Sequence, residues 1–161
     1  MKRRRILSAV GLALVGTVAG CSEDAGNASP TDAVETYFTA LADGDHETAN
    51  QVAHVDGDFY IDDDTPNQFT EAENLTITET ETVEIERAVE SMFQHSDDVQ
   101  IEERVRDEEA AVEEIRDDYG FADFEYVRHD ASADGLSFNS IYLLFESDDG
   151  WTLWSLPTAH M

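Results

Sequence analysis

Few side chains in this sequence could do chemistry: five histidines (His46, His54, His95, His129 and His160), one cysteine (Cys21), and many carboxylates. Acid–base catalysis near neutral pH needs an imidazole or carboxyl group tuned by a pocket, with its proton-exchange partner in hydrogen-bond reach. His54 is the first candidate, because it follows a short helix and has Tyr37 and Tyr60 as expected pocket neighbours. Near the C-terminus Trp151, Trp154, Tyr142 and Phe145 either line such a pocket or fill the core. Strand alternation puts Trp151 and Trp154 on opposite faces, so only one can enter a shared cavity; Trp154 is the candidate. Metal chemistry finds little support. His46-Glu47 opens like a zinc-protease helix, but Asn50 stands where the second histidine ligand belongs. Asp56-Gly57-Asp58 and Asp62-Asp63-Asp64 lack the alternate spacing, central glycine and closing glutamate of a calcium loop, and read as solvated surface. There is no Ser-His-Asp elbow and no phosphate-cradling glycine loop, so the expectation is no metal and no cofactor.

Cys21 is different in kind. Lys2 to Arg5 are all basic, and the run 6–20 is apolar or small throughout. At 1.5 Å per residue such a run is too short for a hydrocarbon core about 30 Å thick, which takes about 20 residues. It has instead the basic and apolar regions of a signal peptide. The run ends Val18-Ala19-Gly20-Cys21, which resembles the lipobox of bacterial and archaeal lipoproteins. That resemblance implies cleavage before Cys21 and a diacylglyceryl-type lipid on its sulfur. With one cysteine the chain can form no internal disulfide. Arg3-Arg4-Arg5-Ile6-Leu7 resembles the twin-arginine export signature, with Arg3 and Arg4 as the pair; an ordinary basic leader is the alternative. Stable anchoring takes two acyl chains or a second signal, at ~0.8 kcal/mol per buried methylene, and no polybasic patch supplies the second. Residues 21–29 read as the lipidated cysteine and a short flexible linker, and 30–161 as the folded domain, held outside the cell at the membrane. Asn27 and Asn74 each open an N-glycosylation triplet.

Charge sets the environment. The chain has 37 acids against 9 Lys and Arg, for a formal charge of −28. Loss of the leader removes four cations and leaves five arginines, no lysine and a charge of about −32. Nucleic acids and anionic lipid surfaces are excluded as partners, since both are bound through cations that neutralise phosphates. The acids spread through predicted helices, strands and loops instead of gathering in a tail, so self-repulsion opposes compaction in dilute buffer. In roughly molar salt the Debye length falls to about 3 Å and most of that repulsion disappears. The composition reads as a halophile's surface. The apolar fraction of 41% is nevertheless enough for a core, which argues against wholesale disorder.

The elements that must position these groups follow from caps and periodicity. Ser29-Pro30-Thr31-Asp32 predicts a helix start, Val34, Tyr37, Phe38 and Leu41 form its apolar stripe, and Gly44 stops it. Asp45 caps a second helix through about residue 54. Alternation from Leu75 to Ile85 predicts a strand, although Glu79 and Glu81 interrupt its apolar face, and 88–93 a helical turn. Residues 101–119 predict a helix with Ile101, Val105, Val112 and Ile115 on one face, ended by Gly120. Strands are expected at 124–128, 140–146 and 151–156, the last two joined by the hairpin signal Ser147-Asp148-Asp149-Gly150.

Two stretches of this pattern resemble a known family. The phrase from Ala33 through Tyr37-Phe38, Leu41 and Gly44-Asp45 to His54, and the closing Asp149-Gly150-Trp151-Thr152-Leu153-Trp154, are similar to NTF2-like (SnoaL/DUF4878-like) domains. The resemblance implies an α+β, NTF2-like or cystatin-like fold: N-terminal helices packed on a curved antiparallel sheet, with a C-terminal hairpin and a cone-shaped pocket. The helix at 101–119 departs from it, lying where the family usually continues its sheet. Some members are isomerases or dehydratases using an Asp/His pair, and many are non-catalytic. The leading expectation is a membrane-tethered extracellular binding or accessory domain for a small ligand or an envelope protein. The alternative is a pocket enzyme of isomerase or hydrolase type built on a His/carboxylate pair, and a third class is a structural spacer without a cavity.

Overall fold

The side chains of Tyr142 and Leu143 are neighbours in one strand, yet both are buried, because the sheet they belong to is covered on both faces. The structure is a computed structural model that describes residues 29–62, 65, 75–93, 100–133 and 136–157. Arg3, Arg4, Cys21, Asn27, Asp63, Asp64 and Asn74 lie outside the described residues. The elements in chain order are α1 (Pro30–Asp43), α2 (His46–Gln51), β1 (Thr76–Val83), α3 (Ile85–Met92), α4 (Ile101–Tyr119), β2 (Asp123–Ala133), β3 (Leu136–Ser147) and β4 (Gly150–Ser155). The four strands form one antiparallel sheet in the order β1-β2-β3-β4. The fold is α+β. Among the described residues no helix is long and apolar enough to cross a membrane.

α1 begins and ends where its caps require. The Ser29 hydroxyl accepts the Asp32 N–H at 3.1 Å, Pro30 occupies the first turn, and Gly44 takes a left-handed conformation at φ 70°. There the N–H groups of Gly44 and Asp45 return to the carbonyls of Leu41 and Ala40, satisfying orphan acceptors of the last turn. Asp45 then caps α2 by accepting from the Thr48 N–H at 3.1 Å and its hydroxyl at 2.7 Å. α2 stops at Gln51, short of the expected end near residue 54. Residues 52–54 leave the helix to pair with β4. The Leu153 N–H donates to the Val52 carbonyl at 2.8 Å, and the His54 N–H to the Leu153 carbonyl at 3.0 Å. An otherwise open sheet edge gains hydrogen-bond partners in this way.

One face of the sheet packs under α1 and α2, with Val34, Leu41, Val127, Leu144 and Leu153 at its centre. The other packs against α3 and α4, with Ala88, Val112, Tyr126, Leu143 and Phe145. Double burial explains why β3 carries the unbroken apolar run Ile141–Phe145 instead of a simple alternation. Glu79 and Glu81, which interrupt the pattern of β1, face a partner on β2. Arg128 donates to Glu81 at 3.1 Å, lies 4.0 Å from Glu79, and also pairs with Asp130. The Arg128 hydrogen bond and charge hold the Asp130 carboxyl below the usual carboxylate range.

Several elements are longer than their local signals imply. α3 is an eight-residue helix rather than a single turn, and β2 and β3 extend well beyond 124–128 and 140–146. β2 and β3 are consecutive strands and pair along their whole length from Asp123↔Glu146 to Ala133↔Leu136. Long strands of this kind draw their stability from each other, which local periodicity does not report.

Candidate functional site

Between α1, the 58–62 segment and β3 lies a cavity of about 590 Å³. α1 contributes Tyr37, Phe38 and Leu41, one helical turn of its buried stripe. The 58–62 segment contributes Phe59, Tyr60 and Ile61, flanked by Asp58 and Asp62, while Ser140 and Tyr142 enter from β3. Four of these rings touch in a closed circuit. Tyr37 meets Phe38 at 5.2 Å, Phe38 meets Tyr142 at 5.3 Å, Tyr142 meets Phe59 at 5.2 Å, and Phe59 meets Tyr37 at 5.8 Å between centroids. Edge-to-face and tilted packing of this kind is the favoured arrangement of aromatic quadrupoles.

The wall opposite α1 is a segment without secondary structure, and side chains hold it in place. The Asn50 amide brackets Ile61: its Nδ2 donates to the Ile61 carbonyl at 2.8 Å and its Oδ1 accepts the Ile61 N–H at 2.9 Å. The Tyr37 hydroxyl donates to the Phe59 carbonyl at 2.8 Å, and the Asp58 N–H donates to the Trp154 carbonyl at 2.7 Å. Gly57 sits so close that a Cβ there would lie 2.6 Å from the Trp154 carbonyl oxygen, so no larger residue fits without moving backbone. Burial pushes the Tyr37 hydroxyl up to about 12, and burial also raises Tyr142. Both therefore stay neutral at any ordinary pH.

Of the residues singled out from the sequence, Tyr37, Tyr60 and Tyr142 come together in this cavity, while Phe145 fills the core on the other face. Trp154 lies on the other face of the sheet, in the cluster with Phe145 and Val112, while Trp151 packs against the first cluster. His54 is with Trp154, not with Tyr37: its ring lies 4.8 Å from Trp154, 5.3 Å from Tyr119 and 5.5 Å from Phe121. Its Nδ1 accepts the Asp56 N–H at 3.2 Å, which uses the imidazole as a local turn cap. Among the described residues no group of three or more His, Cys, Asp or Glu could hold a metal ion.

Among the described histidines, His129 on β2 is in contact with two rings of the cavity lining, Phe38 and Tyr142. It is 3% exposed and its ring lies flat against Phe38. Nδ1 is 3.4 Å from the Thr80 hydroxyl, and Nε2 is buried with no hydrogen-bond partner among the described residues. Burial lowers its pKa below the ordinary 6.5, outweighing the upward pull of Glu35 and Asp130. The expected strand at 124–128 stops one residue before it; continued alternation through Val127, His129 and Ala131 would have placed it on the buried face. On the opposite face α4 buries a carboxylate. Glu108, 2% exposed, accepts the Tyr126 hydroxyl at 2.6 Å. The signal is its position between Val105 and Val112, at i+3 and i−4 on the apolar stripe.

Compared with protein families, with curated proteins and with solved structures, the chain finds no match.

Proposed function

We propose that this protein is a non-catalytic binding domain of NTF2-like type that takes a small ligand, or a side chain of an envelope partner, in the cavity beside α1. The observation that carries this reading is the cavity itself: about 590 Å³, walled by a contiguous circuit of aromatic rings and braced by Asn50 and Tyr37. Small-molecule sites have this character, concave and mostly apolar with a few polar groups at fixed positions. The NTF2-like reading is supported by the Gly44-Asp45 stop of α1, the antiparallel sheet beneath it and the Gly150-Trp151 hairpin; α3 and α4 on the far face are this chain's addition to that plan. The rival, a His/carboxylate enzyme, has less to build on. The imidazole of His54 is occupied with Asp56 and three aromatic rings, and His129 meets the cavity wall through Phe38.

The domain is proposed to work outside the cell, in high salt, tethered by a lipid on Cys21. The basic leader, the Val-Ala-Gly-Cys sequence and the acid-rich composition support this. Two measurements test the proposal. Protein-observed NMR of the chain against a set of small apolar fragments should give shifts concentrated at Tyr37, Phe38, Tyr60 and Tyr142; shifts elsewhere, or none, count against a binding cavity. Cys21→Ser should move the protein from the membrane fraction to the medium, and equal retention of the variant would refute the tether.

A further inference from the structure

If the cavity is a ligand site, as just proposed, the chemistry of its mouth narrows the ligand class. The residues bordering it divide by chemistry. Five of the lining residues are aromatic: Tyr37, Phe38, Phe59, Tyr60 and Tyr142. Among the described residues, the charged groups bordering the cavity are Asp58 and Asp62, both acids and both exposed, and no lysine or arginine is among them. Thr65 steadies one of them, its hydroxyl donating to Asp62 at 2.9 Å while it accepts the Asp62 N–H at 2.9 Å. Asp58 is fixed through its backbone, by the N–H bond to the Trp154 carbonyl. Aromatic faces carry negative quadrupole potential, and they attract cations more strongly once water is displaced. The two carboxylates at the cavity's border attract a cation in direct contact, at a range shorter than or close to the Debye length in molar salt. Both effects act in the same direction: they favour a ligand that is positive at one end and apolar along its body, and they oppose a carboxylate or phosphate.

We infer that the cavity beside α1 binds an organic cation, an alkylammonium or arylammonium whose apolar body lies against the Tyr37–Phe38–Tyr142–Phe59 circuit and whose charge faces Asp58 and Asp62.

The test uses three probes with one body and three charges: phenylbutylammonium, phenylbutanol and phenylbutanoate. Each is titrated into the full chain in molar salt, with binding followed by NMR shifts and calorimetry. The ammonium should bind about tenfold more tightly than the alcohol, with the carboxylate weakest. Asp58→Asn combined with Asp62→Asn should erase the advantage of the ammonium over the alcohol. Both positions are exposed and the exchange removes repulsion, so the variant keeps its fold, checked by circular dichroism. Equal affinity for alcohol and ammonium would overturn the cation inference while leaving the binding cavity in place. Tightest binding by the carboxylate would overturn it as well. Failure of all three probes to bind would remove the binding reading itself, and the inference with it.

Discussion

The ring of Phe38 lies flat on the imidazole of His129, with centroids 4.5 Å apart and planes 14° from parallel. Phe38 also borders the cavity. The imidazole of a buried histidine is thereby in contact with α1 and with the wall of the candidate site.

Protonating His129 should destabilise the fold. Its folded pKa lies below 6.5, so below about pH 6.5 the unfolded chain binds more protons than the folded one. Stability is full above that pH and falls as pH drops toward the folded value. The groups around the imidazole are Phe38 and Glu35 from α1, Thr80 from β1, Tyr142 from β3 and neighbouring Asp130. The loss attached to Asp130, whose pKa is depressed, begins only at more acid pH, below the ordinary 3.8. The midpoint of thermal unfolding, followed by circular dichroism, should slope downward below pH 6.5 in the native chain. In His129→Leu, which also removes the unpartnered Nε2, that slope should be absent. An unchanged slope would mean another group titrates.

Asn50→Ala should release the cavity wall. It removes both bonds to Ile61 and leaves a partly buried N–H and C=O without their partner, a loss of about 1–3 kcal/mol. Asn50→Asp keeps the acceptor but not the donor and should fall between the two. Amide hydrogen exchange of residues 58–62 reads the local effect and thermal melting the global one; native exchange rates in Asn50→Ala would show that the bracket contributes nothing.

Tyr126→Phe should be more damaging than loss of a hydroxyl at the surface, because it strips the buried Glu108 carboxylate of a 2.6 Å donor. A decrease of about 1–3 kcal/mol is expected. Glu108→Gln keeps an acceptor for Tyr126 without the charge and should be milder. Denaturant unfolding of the two variants ranks them, and the reverse ranking would show that the carboxylate does not depend on Tyr126.

Salt should stabilise the domain steeply. The net charge of −28 comes from acids in every element but β4, so screening acts over most of the surface. The unfolding midpoint should rise continuously from about 0.05 M to molar sodium chloride, well past the point at which single surface ion pairs are screened. Full secondary structure and an unchanged midpoint in dilute buffer would remove the high-salt reading of the composition.

What was legible along the chain was what neighbouring residues determine among themselves. Ser29, Pro30 and Gly44 delimit α1, Gly120 ends α4 in a left-handed conformation, and Asp148-Asp149 join β3 to β4, because caps and turns are set by a few adjacent backbone groups. The stripe of α1 likewise shows in its period, and with it Tyr37. Beyond that range the local signals stop. The second helix ends early because Val52 and His54 bond to Leu153, a residue about a hundred positions away.

The choice of site residues was decided by packing. His54 and His129 are the same side chain, and nothing adjacent to either says which meets the cavity. The pairing of β2 with β1 and β3 carries His129 under Phe38, while the turn at Asp56 carries His54 to Trp154 on the far side. Asn50, noticed in the chain only for not being histidine, becomes the clamp of the cavity wall once Ile61 folds back against it. The sequence by itself determined the charge, the helix caps and the terminal hairpin, since composition and near neighbours suffice for these. Only the tertiary structure decided which rings enclose a cavity, which carboxylate is buried and which imidazole stands beside the cavity wall, because each depends on contacts between segments that the chain order keeps apart.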